Sequence, residues 1–496
     1  MKGNGRDRNF ILFLIASGVL CLLYCILFRP ITWEAQGDFP SYLDLARQIF
    51  HLPGATDVDQ SHRSPLYSIV LGAFLIIFGE PHYLVALMVF QYILIFFSSL
   101  FIYRIILQLT GKTAAAFIAG LAGVLNLTVI FFGFMILSET LALVLFTALA
   151  WLLVKYSYVP GPATGFGAGI MAGLLILARF NMIGLPLVVV FLLILLFLFG
   201  RPPIRLTVAI RDVTLFAAGV ILITGIWSAR NYFSYGKFEV IPKHHTGQRW
   251  AVPATIDSSD RVSVEYQQVL DIFLRTREEL VGREVFREYR KSSLLRHGLI
   301  KKINDYFSPD VSGYLLYRDS EDELLALYQL PDTPEGIRAL NEKLKPFYRE
   351  IAAGNKGEIV RLRVYSFLYS FKHVSPTLPG DEPVNLNHLP SWLLQLYKIA
   401  LIMTVVLTYA GSVAHMIYLV FKKERLRKGL QWVMMYGLIW YFPVINTYVN
   451  VLGDANRFRF PADMLIIGLF AAMCYSLWKV SANPKRRDDI QIQADE

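Results

Sequence analysis

The chain has 496 residues, of which 55% are hydrophobic and 17% charged; its formal net charge is +10 and its mean hydropathy +0.46. A soluble chain of this size carries about a quarter charged residues, so the composition excludes an ordinary soluble globular protein. The basic surplus sits in short turns between apolar blocks, which is a topology signal rather than a nucleic-acid patch.

Lys2, Arg6 and Arg8 precede the uncharged block from Phe10 to Phe28. That block is long enough to cross a hydrocarbon core of about 30 Å, and no small-residue cleavage site follows it. It reads as an uncleaved first span with the N-terminus inside. Nine further membrane helices are expected at about 83–105, 113–135, 139–156, 164–180, 182–200, 213–229, 392–420, 430–450 and 461–480. Every basic turn then falls on the inner side: Arg104/Lys112, Lys155, Arg201/Arg205/Arg211, the run from Lys422 to Lys428, and Lys485–Arg487. The apolar stretch Pro65–Gly79 has only 15 residues. If it crossed, the later basic turns would move outside, so it is expected to lie along the outer interface or to re-enter.

The expected fold is therefore an all-α polytopic membrane protein of about ten spans. Residues 1–230 form an N-terminal membrane module whose outer loop 29–82 carries acidic residues. Residues 231–390 hold 22 Lys/Arg and 22 Asp/Glu and mix Leu, Phe and Tyr with charges at helical spacing, as a mainly helical outer domain does. Residues 391–496 are the C-terminal spans and a cytoplasmic tail. Cys21, Cys25 and Cys474 all lie within apolar blocks and give neither a disulfide framework nor a metal-ligand pattern.

Charges at membrane depth or at its edge mark candidate sites. Glu34 and Asp38 follow the first span; Asp38 precedes Pro40 as a helix N-cap does, and Tyr42 continues the same helix face. A rigidly capped carboxylate at a cavity mouth also suits a base for an acceptor hydroxyl. Arg63 opens the short apolar stretch, ahead of Tyr67; its forked guanidinium fits either a lipid headgroup or a phosphate. Ser138 is placed to cap the fourth span, with Glu139 in its first turn. A scatter of cations faces outward: Arg179 and Arg230 at span ends, the stretch Lys243, His244 and His245, and Arg457 and Arg459 before the last span. Each alone reads as an interface anchor; together they suit an anionic lipid headgroup. No nucleotide-binding or hydrolase fingerprint occurs, so the donor of any transferred group is expected to come from the membrane.

Five of these elements stand in an order that resembles a known family. Gly37, Asp38, Tyr42 and Ala46, then Arg63, Pro65, Tyr67 and Gly79, resemble the first outer loop of the C-type (GT-C) glycosyltransferases. More narrowly they are similar to the bacterial branch related to the protein O-mannosyltransferases and the lipid A aminoarabinose transferase. Leu137–Thr140 resembles the second acidic loop, Gly173 to Phe180 a span end carrying arginine, Trp227–Tyr232 the start of the large outer segment, and Arg457 to Pro461 the element before a late span. Two departures stand out: Arg63 replaces the branch's lysine, and Phe180 replaces a proline. The resemblance implies a polyprenyl-phosphate-linked sugar as donor and a glycan, lipid or protein as acceptor. It further implies Asp38 as the base assisted by Glu139, the outer cations as the phosphate site, and Glu34, Tyr42 and Tyr67 in the substrate cavity. It implies no required cofactor, although a divalent metal is compatible, and no nucleic-acid partner. The expected location is a bacterial inner membrane, with both termini cytoplasmic and the active site periplasmic. A lipid-linked sugar flippase, a surface-polysaccharide polymerase or ligase, and a receptor remain alternatives on the residues alone.

Overall fold

A computed structural model describes residues 4–32, 39–56, 63–199, 206–235, 238–240, 252–282, 313–369, 371, 391–421, 423–449 and 459–481. Their regular structure is helical apart from one isolated β-bridge. In chain order the first ten helices are α1 (Asn4–Leu27), α2 (Phe39–Phe50), α3 (Pro65–Phe78), α4 (Tyr83–Thr110), α5 (Thr113–Val124), α6 (Leu127–Phe134), α7 (Glu139–Tyr158), α8 (Pro162–Ala178), α9 (Leu185–Phe199) and α10 (Leu206–Tyr235). The polar segment 231–390 contributes α11 (Gln267–Gly282), α12 (Gly313–Leu327), α13 (Pro334–Gly354) and α14 (Lys356–Tyr369). The chain ends in α15 (Ser391–Phe421), α16 (Lys423–Val449) and α17 (Asp463–Ser481).

Length and apolar composition qualify six described helices as membrane spans: Arg8–Leu27, Tyr83–Thr110, Glu139–Tyr158, Phe180–Phe199, Leu206–Phe233 and Ile399–Phe421. A seventh appears if α5 and α6, bent by 48° at Leu125–Asn126, count as one broken span. This differs from the ten expected. The remaining expected spans are helical, but Pro162–Ala178 and Phe460–Ser476 are short, and α16 opens on a charged turn and holds Pro443 in its interior. Apolar runs in a sequence do not reveal whether lipid or protein covers them. α8 illustrates this, since it is wedged between α7 and α10. Gly165, Gly169 and Gly173 recur every fourth residue on α8, and a methyl group on Gly169 would overlap the Phe216 carbonyl of α10. On α10, Gly219 meets the same backbone from the other side. Small residues at this spacing let two backbones touch where lipid offers no hydrophobic drive.

α3 is a 14-residue helix, about 21 Å long at 1.5 Å per residue. Tyr67, Ser68, Leu71 and Gly72 are buried against α2, α4 and α8, whereas Ile76, Ile77 and Phe78 at its end are exposed. A helix too short to span, buried at its start and exposed at its end, is consistent with the expected interfacial or re-entrant placement.

Helices α11, α12 and α13 have their own core, built on Phe273, Leu316, Leu324, Leu344 and Phe347. Thr333 caps α13 by accepting from the Gly336 N–H at 3.2 Å. α14 instead packs along α16. Phe367 stacks on Trp440 at 6.4 Å, and Phe371 meets Tyr409 edge-on at 4.9 Å, so the end of this segment is held by bundle aromatics.

Candidate functional site

Between α6 and α7 the chain extends for a few residues. There Ile31, just past the first span, forms a parallel bridge with Met135. Ile31 donates its N–H to the Phe134 carbonyl at 3.0 Å and accepts from the Ile136 N–H at 3.1 Å. This strap joins the roots of the two acidic segments: Ile31 precedes Glu34 and Asp38, and Met135 precedes Glu139. Glu34 and Asp38 themselves lie outside the described residues, as do Lys243, His244, His245 and Arg457. α2 begins at Phe39, immediately after Asp38.

The far side of Asp38 is anchored to the same strap. The buried Tyr42, one turn into α2, places its hydroxyl 3.2 Å from Ser138 Oγ. Ser138 occupies the N-cap position of α7, but its side chain makes no cap hydrogen bond; it meets Tyr42 instead of capping the helix. Glu139 does take the first turn, as expected. Tyr42 also packs edge-on against Tyr67, with ring centroids 5.3 Å apart. Tyr67 donates to Gln91 Oε1 at 3.0 Å, and Gln91 Nε2 donates to the carbonyls of Gly133 at 3.0 Å and Met135 at 2.8 Å. Thr140 closes the strap by donating to the Phe132 carbonyl at 2.8 Å. A fully buried amide thus uses both ends to lock α3 and α4 onto the segment that delivers Glu139.

Glu139 is wholly buried and meets Arg179 at 3.1 Å, with Arg179 6% exposed. Burying a lone charge is costly, and the opposite charge is what makes this burial tolerable. Arg179 is held in turn by its turn at the end of α8. The Phe180 N–H donates to Ser64 Oγ at 3.2 Å, the Met182 N–H to the Arg179 carbonyl at 3.0 Å, and the Tyr441 hydroxyl to the Asn181 carbonyl. Arg63, adjacent to Ser64, lies over the Tyr42 ring at 5.8 Å and donates to Ser41 Oγ at 3.4 Å. Tyr42, Arg63, Tyr67, Glu139 and Arg179, five of the residues singled out in the sequence, therefore belong to one connected network.

Arg459 abuts this network. Its guanidinium is fully buried and grips Asp463 with Nε at 2.7 Å and Nη2 at 3.4 Å. The neighbouring Phe460 ring packs on Phe132, in α6 just before the strap, at 4.4 Å. Arg230 belongs to a different set of contacts near the C-terminal end of α10: it lies over Trp227 at 4.9 Å and donates to Asn231 at 3.3 Å.

Sequence reasoning missed Gln91, Ser64, Asn181 and Tyr441. Gln91 had a readable signal, because an amide in the middle of the apolar run of α4 needs partners. The others act through partners distant in the chain, so no local pattern marks them. Among the described residues no group of three or more His, Cys, Asp or Glu side chains is placed to hold a metal ion.

No protein-family model matches the chain. No curated protein matches it by sequence either. Solved structures do. The archaeal oligosaccharyltransferase AglB from Archaeoglobus fulgidus, in complex with an inhibitory peptide and a dolichol-phosphate, matches with a TM-score of 0.49 and 12% identity, over 98% of this chain and 52% of its own. ArnT from Cupriavidus metallidurans, bound to undecaprenyl phosphate, matches with a TM-score of 0.39 and 15% identity, over 92% of this chain and 77% of its own. The chain thus spans about half the length of the oligosaccharyltransferase it matches.

Proposed function

We propose that this chain is an integral membrane glycosyltransferase that moves a sugar from a polyprenyl-phosphate donor to an acceptor glycan, lipid or protein at the outer face of the membrane. The observation that carries this reading is the strap. Ile31 on one side of Asp38 and Tyr42 on the other both bond to the 134–138 segment that ends in Glu139. The two acidic segments named by the sequence resemblance thereby share one support, beside Arg63 and Arg179.

In the proposed reaction the acceptor hydroxyl gives its proton to the Asp38 carboxylate as its oxygen attacks the anomeric carbon. The bond from that carbon to the phosphate oxygen breaks on the opposite face, the electron pair leaves with polyprenyl phosphate, and the centre is inverted. A phosphate leaving group needs charge stabilisation rather than a general acid. Preorganised guanidinium groups in a poorly hydrated site supply it best. Arg63 is the nearest such group in the network, with Arg230, Lys243, His244, His245 and Arg457 as further candidates. Arg179 and Arg459 are each committed to a buried carboxylate, so they act as parts of charge pairs. Glu139 assists as a fixed charge orienting Arg179. Tyr42 and Tyr67 line the acceptor side. No metal enters these steps. The site is assigned to the periplasmic face of a bacterial inner membrane with both termini cytoplasmic, because every basic turn then faces inward.

One observation favours a second reading, a flippase for a lipid-linked sugar. Broken helices mark transporters, and the α5–α6 pair bends by 48° at the buried Asn126. A single experiment separates the two. Detergent-solubilised protein is incubated with radiolabelled polyprenyl-phosphate sugars and an envelope extract as acceptor. Label transferred to the extract identifies a transferase. Donors that bind yet stay intact across the panel contradict it and leave the flippase.

A further inference from the structure

The buried amides of the bundle are mostly spent on folding. Gln91 bonds Tyr67 and two strap carbonyls, and Asn126 Oδ1 accepts from the Thr128 N–H at 2.8 Å and from Tyr397 at 2.7 Å. Asn181 differs. It is 7% exposed, and neither its Nδ2 nor its Oδ1 has a hydrogen-bond partner among the described residues. A buried polar atom left in that state is expensive, and such a group in a folded protein calls for a ligand or another explanation.

The backbone here is held from three sides. The turn Phe180–Met182 is bonded by Ser64, the residue before α3, by Tyr441 from α16 and by the adjacent Arg179 carbonyl. Asn181 sits two residues after Arg179, which holds Glu139. The position is therefore rigid, adjacent to the charge pair, and carries an unspent polar group.

The chemistry of the amide narrows the ligand. A carboxamide offers two donors and an acceptor. A phosphate only accepts, and would leave Oδ1 without a partner. A hydroxyl both donates and accepts, and satisfies both ends. We infer that the Asn181 carboxamide binds a ring hydroxyl of the transferred sugar and so contributes to donor choice. This inference rests on the glycosyltransferase reading of the same site.

The test compares the binding of two ligands, polyprenyl phosphate and the polyprenyl-phosphate sugar that the wild type prefers in a donor panel. Binding is measured on full-length protein in detergent, for wild type, Asn181→Leu and Asn181→Asp, with thermal melting and size exclusion checking the fold. Wild type is expected to bind the sugar-bearing lipid more tightly than the bare lipid. Asn181→Leu should lose about tenfold of that gain, the worth of a well-made hydrogen bond or two, while binding the bare lipid unchanged. Asn181→Asp retains the shape and the acceptor but loses the donors, and should lose part of the gain. If both variants keep the full gain, or lose affinity for both lipids equally, Asn181 does not read the sugar. If wild type binds neither lipid, the glycosyltransferase reading itself fails and takes this inference with it.

Discussion

Breaking the Glu139–Arg179 pair separates a structural role from a functional one. The two charges lie 3.1 Å apart with 0% and 6% of their side chains exposed. Replacing one partner alone, as in Glu139→Leu or Arg179→Leu, deprives the other buried charge of this counter-charge, at a cost of up to about 3–5 kcal/mol. That is a large share of the stability of a typical fold, so each single variant is expected to melt several degrees lower than wild type and to express less. Replacing both by leucine removes both charges and leaves an apolar contact. Such exchanges are often neutral, or stabilising by about 1–4 kcal/mol, so the double variant should recover most of the lost melting temperature. Activity should behave differently. If the pair fixes a charge beside the reacting phosphate, the double variant stays as inactive as the singles. The assay is a double-mutant cycle, with melting in detergent on one axis and donor turnover on the other. Recovery of turnover together with stability would refute the functional assignment of the pair and leave a fold-stabilising contact.

Other predictions follow from the same geometry. Gln91→Leu removes the hydrogen bonds to Tyr67 and to the carbonyls of Phe132, Gly133 and Met135; at about 0.5–1.5 kcal/mol each the fold should survive. Turnover should drop by roughly two decades through misplacement of Glu139, with donor KM changing less than kcat. Wild-type kcat in Gln91→Leu would show that the strap position is irrelevant to chemistry. Gly169→Val should abolish folded, monodisperse protein, because its side chain would overlap the α10 backbone at Phe216; size exclusion of the detergent-solubilised variant checks this. Asp257, in the polar segment 231–390, accepts from the Ser259 side chain and N–H, and the Ser259 hydroxyl chiefly holds its carboxyl below the ordinary carboxylate value. The stability this contributes is present above about pH 4. It is lost as pH falls through the depressed folded value. Asp257→Asn should therefore flatten the acid limb of the melting curve below about pH 4, and an unchanged acid limb would contradict the assignment.

Much of the fold was legible because membrane helices announce themselves. α1, α4, α7, α9, α10 and α15 each carry an apolar run that matches the bilayer. α8 and α17 were harder to classify, since a short apolar helix sheathed by protein and one facing lipid have the same composition. The break at Leu125–Asn126 went unread: Asn126 is one polar residue in an otherwise long apolar run, and it bends the run by capping α6, accepting from the Thr128 N–H. The site was legible in its charges and not in its connections. Glu139 and Arg179 were each marked by charge at a span end, yet nothing local tied one to the other across 40 residues. Arg459 read as an exposed anchor, whereas Asp463, one helical turn on, draws it fully inside. The strap rests on backbone hydrogen bonds between Ile31 and residues 134–136, and apolar side chains do not reveal where their backbone pairs.

The central claim is tested most directly by donor turnover in wild type and Asp38→Asn. Purified protein is incubated with a panel of radiolabelled polyprenyl-phosphate sugars and an envelope acceptor extract. Wild type is predicted to release or transfer one sugar, and Asp38→Asn to do so at least about a hundredfold more slowly while melting at the same temperature, the loss expected when a general base is removed. Near-normal turnover in Asp38→Asn would contradict the account.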